Sequence, residues 1–162
     1  TRKPGLVDKF GGHAMAAGLT LREASLPYFE TEFAHEVERW IDEDTLAGHL
    51  HTDGELLAGE FNVATAEALR EGGPWGSGFP EPMFDGVFGV ADTRVVGNRH
   101  LKLKLRAASG EVVDAIAFRY LDGADAPEIR ANDRVQAAYR TGIDEYTGTR
   151  RLQLVTEWVG KL

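Results

Sequence analysis

Residues 94–106 read RVVGNRHLKLKLR. From His100 the stretch alternates without a break, Leu101, Leu103 and Leu105 on one parity and His100, Lys102, Lys104 and Arg106 on the other. Successive side chains on a strand point to opposite faces, so one face is core and the other a row of cations. Gly97 and Asn98 can take the positive φ of a tight turn, which predicts a strand over residues 87–96 folding back on this one. The basic face has two readings, a backbone track for nucleic acid or an ordinary solvated strand face, because alternation by itself reports only half burial.

Toward the C-terminus the pattern is all β, with strands predicted at about 84–96, 99–107, 111–119, 133–141 and 150–159. Gly86 and Gly89 inside the first predict the bend by which one long strand serves both halves of a small barrel. The fourth strand points Val135, Ala137 and Tyr139 inward and Arg134, Gln136 and Arg140 outward. The fifth points Leu152, Leu154 and Trp158 inward and Arg151 and Gln153 outward. Five such strands with a longer connection over 120–132 predict a mainly β fold, an OB-type barrel. Nucleic-acid ligands of such barrels lie across strands two and three, here between loops at 96–99 and 142–149. The basic row is then strand two, which favours the track.

Upstream, residues 62–71 predict a short helix with Asn62 or Thr65 as cap and Gly72 and Gly73 as stop. Residues 73–84, GPWGSGFPEPMF, exclude helix and interior strand. Trp75 and Phe79 are expected to anchor this loop against the barrel, the alternative being that aromatics here offer faces to bases. His49, His51 and Asp53 alternate on an expected edge strand at 50–56. The pattern is that of a metal site, but Gly54 stands where another histidine usually follows, and polar residues on an edge strand explain it more simply.

Near the N-terminus, Ser25 reads as an N-cap, Pro27 fits a first helical turn, and Phe29, Phe33, Val37 and Trp40 or Ile41 make one apolar stripe. This predicts a helix over 26–41, packed on a short buried strand at 16–21, with 42–48 as a linker. Together they read as a small α/β remnant cut from inside a larger protein. Gly11 and Gly12 before His13 read either as a turn with a satisfied histidine or as backbone that a ligand can approach closely.

At 162 residues, 43% apolar and 27% charged, the chain is long enough for one domain, or one small domain and part of another. It has no cysteine, which excludes disulfides and thiolate metal sites. No signal-peptide pattern and no apolar run near the roughly 18 residues of a membrane span predict a soluble cytoplasmic protein with no membrane partner. The net charge of −8 argues against a surface that coats nucleic acid everywhere. Its placement is uneven: 22–44 is strongly acidic, whereas 92–106 sets Arg94, Arg99, Lys102, Lys104 and Arg106 against Asp92 alone. A two-sided molecule is expected.

GGHAMAAG at 11–18, GPWGSGFPEPMFDG at 73–86, HLKLKL at 100–105 and DAIAF at 114–118 occur in this order and spacing. Jointly they resemble the C-terminal part of the RecJ family, bacterial exonucleases that degrade single-stranded DNA from the 5′ end in recombination and repair. The resemblance implies that residues 1–45 are the end of a DHHA1 domain and 46–162 an OB domain with an N-terminal strand and a short helix. It also implies that Gly11, Gly12 and His13 contact DNA in a cleft facing the catalytic domain, and that the OB domain forms part of the single-strand path. The family's nuclease chemistry uses divalent metals, manganese or magnesium, on an N-terminal domain with an Asp-His-His motif. No Asp-His-His sequence occurs here, so no cofactor is expected in this chain and no activity from it alone.

The expected partners are single-stranded DNA, the remainder of the exonuclease, and the single-strand-binding protein as a further candidate. Phosphates are expected along Arg94, Arg99, His100, Lys102, Lys104 and Arg106, joined by Arg140 and Arg151. Phe118, Tyr120 or Tyr146 are candidates to stack bases, although Phe118 shares the parity of Val112, Asp114 and Ile116, so a core role is an equal reading. Two rivals stand beside this one: an OB module that recruits a protein and touches DNA little, and a metallohydrolase centred on His49, His51 and Asp53.

Overall fold

The computed structural model describes residues 5–13, 15–41, 48–123, 126–146 and 148–162, and the chain forms two compact units, 1–49 and 50–162. The expected linker, Gly48 apart, lies outside the described residues, as does the expected boundary between 45 and 46.

In the first unit β1, Lys9–His13, pairs antiparallel with β2, Ala16–Thr20, with Gly12 opposite Ala17 and His13 opposite Ala16. Gly11, Gly12 and His13 are therefore strand, not turn. A Cβ on Gly12 would lie 2.8 Å from the Ala17 Cβ, so the approach of the two strands requires glycine there. The strand expected to be buried at 16–21 runs Ala16–Thr20 and is exposed along that length, because a two-stranded ribbon has too little area to bury either face. Helix α1 runs Leu26–Glu38, and the amides of Trp40 and Ile41 close its last turn on the Val37 carbonyl. Ser25 occupies the N-cap position, but its side chain caps nothing. Its backbone is already helical (φ −91°, ψ −7°), continuing from the 3-10 turn Glu23–Ser25. Phe29 and Phe33 stack one turn apart at 5.6 Å, yet no residue of α1 is buried.

The second unit is a closed barrel. Its strands are β3 (Phe84–Val96), β4 (His100–Arg106), β5 (Val112–Ala117), β6 (Arg134–Asp144) and β7 (Arg151–Lys161), in the order β3-β4-β5-β7-β6. The pairing of β5 with β7 is parallel and the others are antiparallel. This is the OB-type barrel expected from the strand spacing. Leu101, Leu103 and Leu105 are buried, as the alternation of β4 requires, and meet Phe88, Val90, Val135, Tyr139 and Leu154 inside.

One strand does serve both halves: Phe84–Gly89 of β3 pairs with β6, and Gly89–Val96 with β4. The irregularity sits at Ala91, an extra residue between the pairs Val90 with Leu105 and Asp92 with Lys104. Such a bulge bends a strand and sharpens its twist. A second extra residue, Glu157, lies between the pairs of Thr156 with Tyr139 and Trp158 with Ala138. It reverses the parity of β7, so Thr156 and Val159 are buried while Trp158 is 49% exposed. The inward place expected for Trp158 is thereby corrected.

Helix α2, Val63–Glu71, contributes Ala66 to the core, and its cap is Asn62, whose Oδ1 accepts the Thr65 amide at 2.9 Å. At its other end the Trp75 Nε1 donates to the Leu69 carbonyl at 2.9 Å, and the Phe79 ring lies 4.7 Å from the Trp75 ring. These two aromatics anchor the loop to the C-terminal end of α2, where the barrel was the expected anchor. The edge strand expected at 50–56 is instead an extended segment outside the named strands. The Asp53 amide donates to the Met83 carbonyl at 2.7 Å and the Asp85 amide to the Gly54 carbonyl at 3.0 Å.

Candidate nucleic-acid interface

The outward row of β4 forms the floor of a groove of about 300 Å³ lined by Asp92, Arg94, Lys102, Lys104, Asp114, Asp144 and Arg151. Strand register explains the gathering: β3 sets Arg94 beside Lys102 and Asp92 beside Lys104, and β5 sets Asp114 on the other side of Lys104. The Lys102 Nζ lies 3.3 Å from Asp144 Oδ2, while Asp144 Oδ1 accepts the Tyr146 amide at 2.9 Å. The Tyr146 N–H, followed by Lys102, holds the Asp144 carboxyl below the usual carboxylate range. Tyr146 itself is 96% exposed in the β6–β7 loop. The groove continues past Lys104, Asp114 and Arg151 to Val112 and Phe61.

Arg94, Lys102, Lys104 and Arg151 are brought together, and Arg106 follows Lys104 along the exposed end of β4. Among the described residues Arg94, Lys104, Arg106 and Arg151 have no carboxylate in ion-pairing range. Arg99 is engaged elsewhere: its guanidinium grips the Asp122 carboxylate, whose pKa this hydrogen bond lowers. Arg140 is paired with Glu157 at 2.9 Å on the β6–β7 side and does not line the groove. His100 is engaged otherwise, its Nδ1 accepting the Arg119 amide at 2.8 Å. Gly11, Gly12 and His13 lie in the first unit.

Sequence reasoning missed Asp114 and Asp144. Local counting set one acid against the basic run, whereas the barrel adds two more from β5 and β6. Four cations (Arg94, Lys102, Lys104, Arg151) thus face three carboxylates (Asp92, Asp114, Asp144). The outward parity of Asp114 was available as a signal; the arrival of Asp144 depends on how β6 closes. Of the candidate stacking residues, Phe118 is 57% exposed, because Val113, Ala115 and Ala117 take the inward parity of β5. Tyr120 packs partly buried against the core, with its hydroxyl donating to the Pro127 carbonyl at 2.6 Å.

No group of three His, Cys, Asp or Glu side chains among the described residues is placed to hold a metal ion. Asp53 is occupied otherwise, its Oδ2 accepting the Met83 amide at 3.0 Å. No helix among the described residues is long and apolar enough to cross a membrane.

A five-stranded barrel with a parallel third-to-fifth strand contact and a charged groove on its second strand defines an OB-fold domain. A family model described as the RecJ OB domain matches residues 52–157, and the chain belongs to that family. The single-stranded-DNA-specific exonuclease RecJ of Haemophilus influenzae is 43% identical over 162 residues, covering 98% of this chain and 28% of the relative. That of Dickeya dadantii is 45% identical over 158 residues, covering 97% and 27%. RecJ from Thermus thermophilus, crystallised with Mn2+, superposes with a TM-score of 0.64 at 23% identity, over 97% of this chain and 22% of that one, a likeness of fold. The chain spans little more than a quarter of the curated relatives it matches.

Proposed function

We propose that this chain is the OB portion of a RecJ-type exonuclease, acting in DNA recombination and repair, and that its barrel guides single-stranded DNA toward an active site elsewhere in the parent protein. The observation that carries this reading is the groove on the outer face of β4, where Arg94, Lys102, Lys104 and Arg151 converge in the place OB barrels use for nucleic acid. Phosphates follow these four and Arg106, and Arg99, His100 and Arg140 leave the set of direct contacts. The first unit is the end of a DHHA1 domain, with Gly11, Gly12 and His13 as its DNA contacts; the absence of any buried residue in its strands and helix is what a piece of a larger domain would display.

Hydrolysis of a phosphodiester by bound water requires metal ions to activate it and to stabilise developing charge. The Asp-His-His motif that the family uses to hold such metals does not occur in this sequence, and the expected outcome is that the chain alone does not hydrolyse DNA. Incubation with labelled single strands and Mn2+ or Mg2+ checks this: shortened products from the pure chain would refute it.

Equilibrium binding of a labelled oligonucleotide tests the track. Five phosphate contacts at a slope near −0.7 each, or four while Asp144 keeps Lys102, weaken binding roughly fifty- to a hundredfold between about 50 and 200 mM salt. Lys102→Glu/Lys104→Glu abolishes binding with the fold intact. A second reading, recruitment of a protein such as the single-strand-binding protein with little DNA contact, is favoured by the three carboxylates in the groove. It prevails if wild type and double variant bind DNA equally or not at all.

A further inference from the structure

His100 pairs with Val96 of β3 and precedes Leu101, the partner of Ala117 at the end of β5, one outward position beyond Lys102 on the same face of β4. There the connection out of β5 is tied to the β3–β4 turn in three ways. The Leu121 amide donates to the Arg99 carbonyl at 3.1 Å, the Arg119 amide donates to His100 Nδ1 at 2.8 Å, and the Arg99 guanidinium grips Asp122. Arg119 is held with φ at 58°, a conformation that residues other than glycine seldom adopt. His100 also meets the Phe118 ring edge-on at 5.3 Å, with 78° between the planes. The ring is braced at one side and still 57% exposed. Because Arg99 occupies the Asp122 carboxylate, Arg119 has no carboxylate of its own in ion-pairing range among the described residues. The tied turn therefore holds an open aromatic face and, at the next residue, an exposed arginine whose neighbouring carboxylate, Asp122, is already gripped by Arg99, one outward position along β4 from Lys102.

We infer that Phe118 and Arg119 form a nucleotide clamp, in which a base stacks on the Phe118 ring and the adjoining phosphate is taken by the Arg119 guanidinium. His100 is the positioning residue that sets both. The inference rests on the reading of the groove as a DNA track and names the point at which that track would engage a base.

The test uses the 162-residue chain, a thymidine oligonucleotide of about 12 units, within the site sizes of OB barrels, and an all-abasic strand of equal length. Phe118→Ala is expected to weaken binding of the thymidine strand about 5- to 150-fold, the range for losing one stacked base, and to leave both the salt slope and the abasic affinity unchanged. Phe118→Leu, which keeps an apolar side chain, behaves alike. Arg119→Gln lowers the salt slope by about 0.7 on both strands. His100→Ala reproduces both losses, and His100→Gln, whose Oε1 can accept the Arg119 amide, restores binding. Equal losses on thymidine and abasic strands from Phe118→Ala, or no loss on either, overturn the clamp. If Lys102→Glu/Lys104→Glu abolishes binding while the Phe118 and Arg119 variants do nothing, the clamp is wrong and the track stands. If none of them weakens binding, both fall.

Discussion

Asp144→Asn should tighten binding of single-stranded DNA, although it removes a polar contact from the groove. The Lys102–Asp144 pair spans 3.3 Å, and its side chains are only 24% and 25% accessible. Coulomb attraction at that distance is about 1.3 kcal/mol at the dielectric of water, and measured surface pairs contribute about 0.2–1 kcal/mol. A phosphate that takes Lys102 displaces this pair, so removing the carboxylate returns about 1 kcal/mol, or about fivefold in affinity. Asparagine keeps Oδ1 as acceptor for the Tyr146 amide, so the β6–β7 loop keeps its anchor. Lys102 then counts as a complete phosphate contact and steepens the salt slope by about 0.7. Between about 50 and 200 mM salt that shrinks the gain by about 2.6-fold, from about fivefold to about twofold. Anisotropy titrations of wild type and variant at both salts measure this directly. Weaker binding by Asp144→Asn, or tighter binding with an unchanged slope, would refute the view that this acid competes with phosphate for Lys102.

Leu103→Ala and Leu154→Ala, at positions 1% and 0% exposed, should each destabilise the barrel by about 2–5 kcal/mol in denaturant titrations. Gly73→Ala would put a Cβ 2.7 Å from the Phe79 ring and should separate the Trp75–Phe79 pair, read as a change in tryptophan fluorescence with a loss of about 1–3 kcal/mol. The Tyr139 hydroxyl is buried beside the Leu56 backbone, with which it makes at most a poorly aligned contact, and has no hydrogen bond of ordinary geometry among the described residues. Tyr139→Phe should therefore be neutral or stabilising in thermal unfolding. Asp144 has a depressed pKa, so its contribution is complete above the ordinary aspartate value of about 3.9 and is lost as pH falls through the lower folded value. The Tyr146 amide resonance should follow that acid transition, and Asp144→Asn should abolish it.

The strands of the barrel were legible because each carries its own alternation, which local sequence records: the three leucines of β4 alone decide which face is core. Two features escaped because they depend on register between strands distant in sequence. Glu157 is an extra residue only relative to β6, and nothing in the β7 sequence marks it; without it Trp158 would point inward. On β5 the inward residues Val113, Ala115 and Ala117 are no larger than Val112, Ile116 and Phe118 on the other parity, of which Ile116 is nonetheless buried, because the interior is already filled by Leu103, Leu105, Leu154 and Tyr139. Size therefore misreports direction there, and only closure of the barrel reveals Phe118 as exposed.

The same reasoning governs charge in the groove. A count along residues 92–106 sees neighbours in sequence, whereas the field at a phosphate sums over neighbours in space, and β5 and β6 supply Asp114 and Asp144 to a face that looked purely basic. In a groove where four cations face three carboxylates, Lys102 must leave Asp144 to meet a phosphate, and the other two carboxylates repel the phosphate chain that the unpaired cations attract. Binding is then weaker per cation than the sequence predicts and more easily released. On the proposed reading of the barrel as a track for a nuclease, such release lets the strand advance, since a track that held every phosphate firmly would stall it. Neutralising Asp92, Asp114 and Asp144 together should therefore tighten binding by the 162-residue chain and slow the advance of DNA through the complete exonuclease. Tighter binding with unchanged or longer digestion runs per encounter would separate the electrostatics of this groove from the movement of the strand.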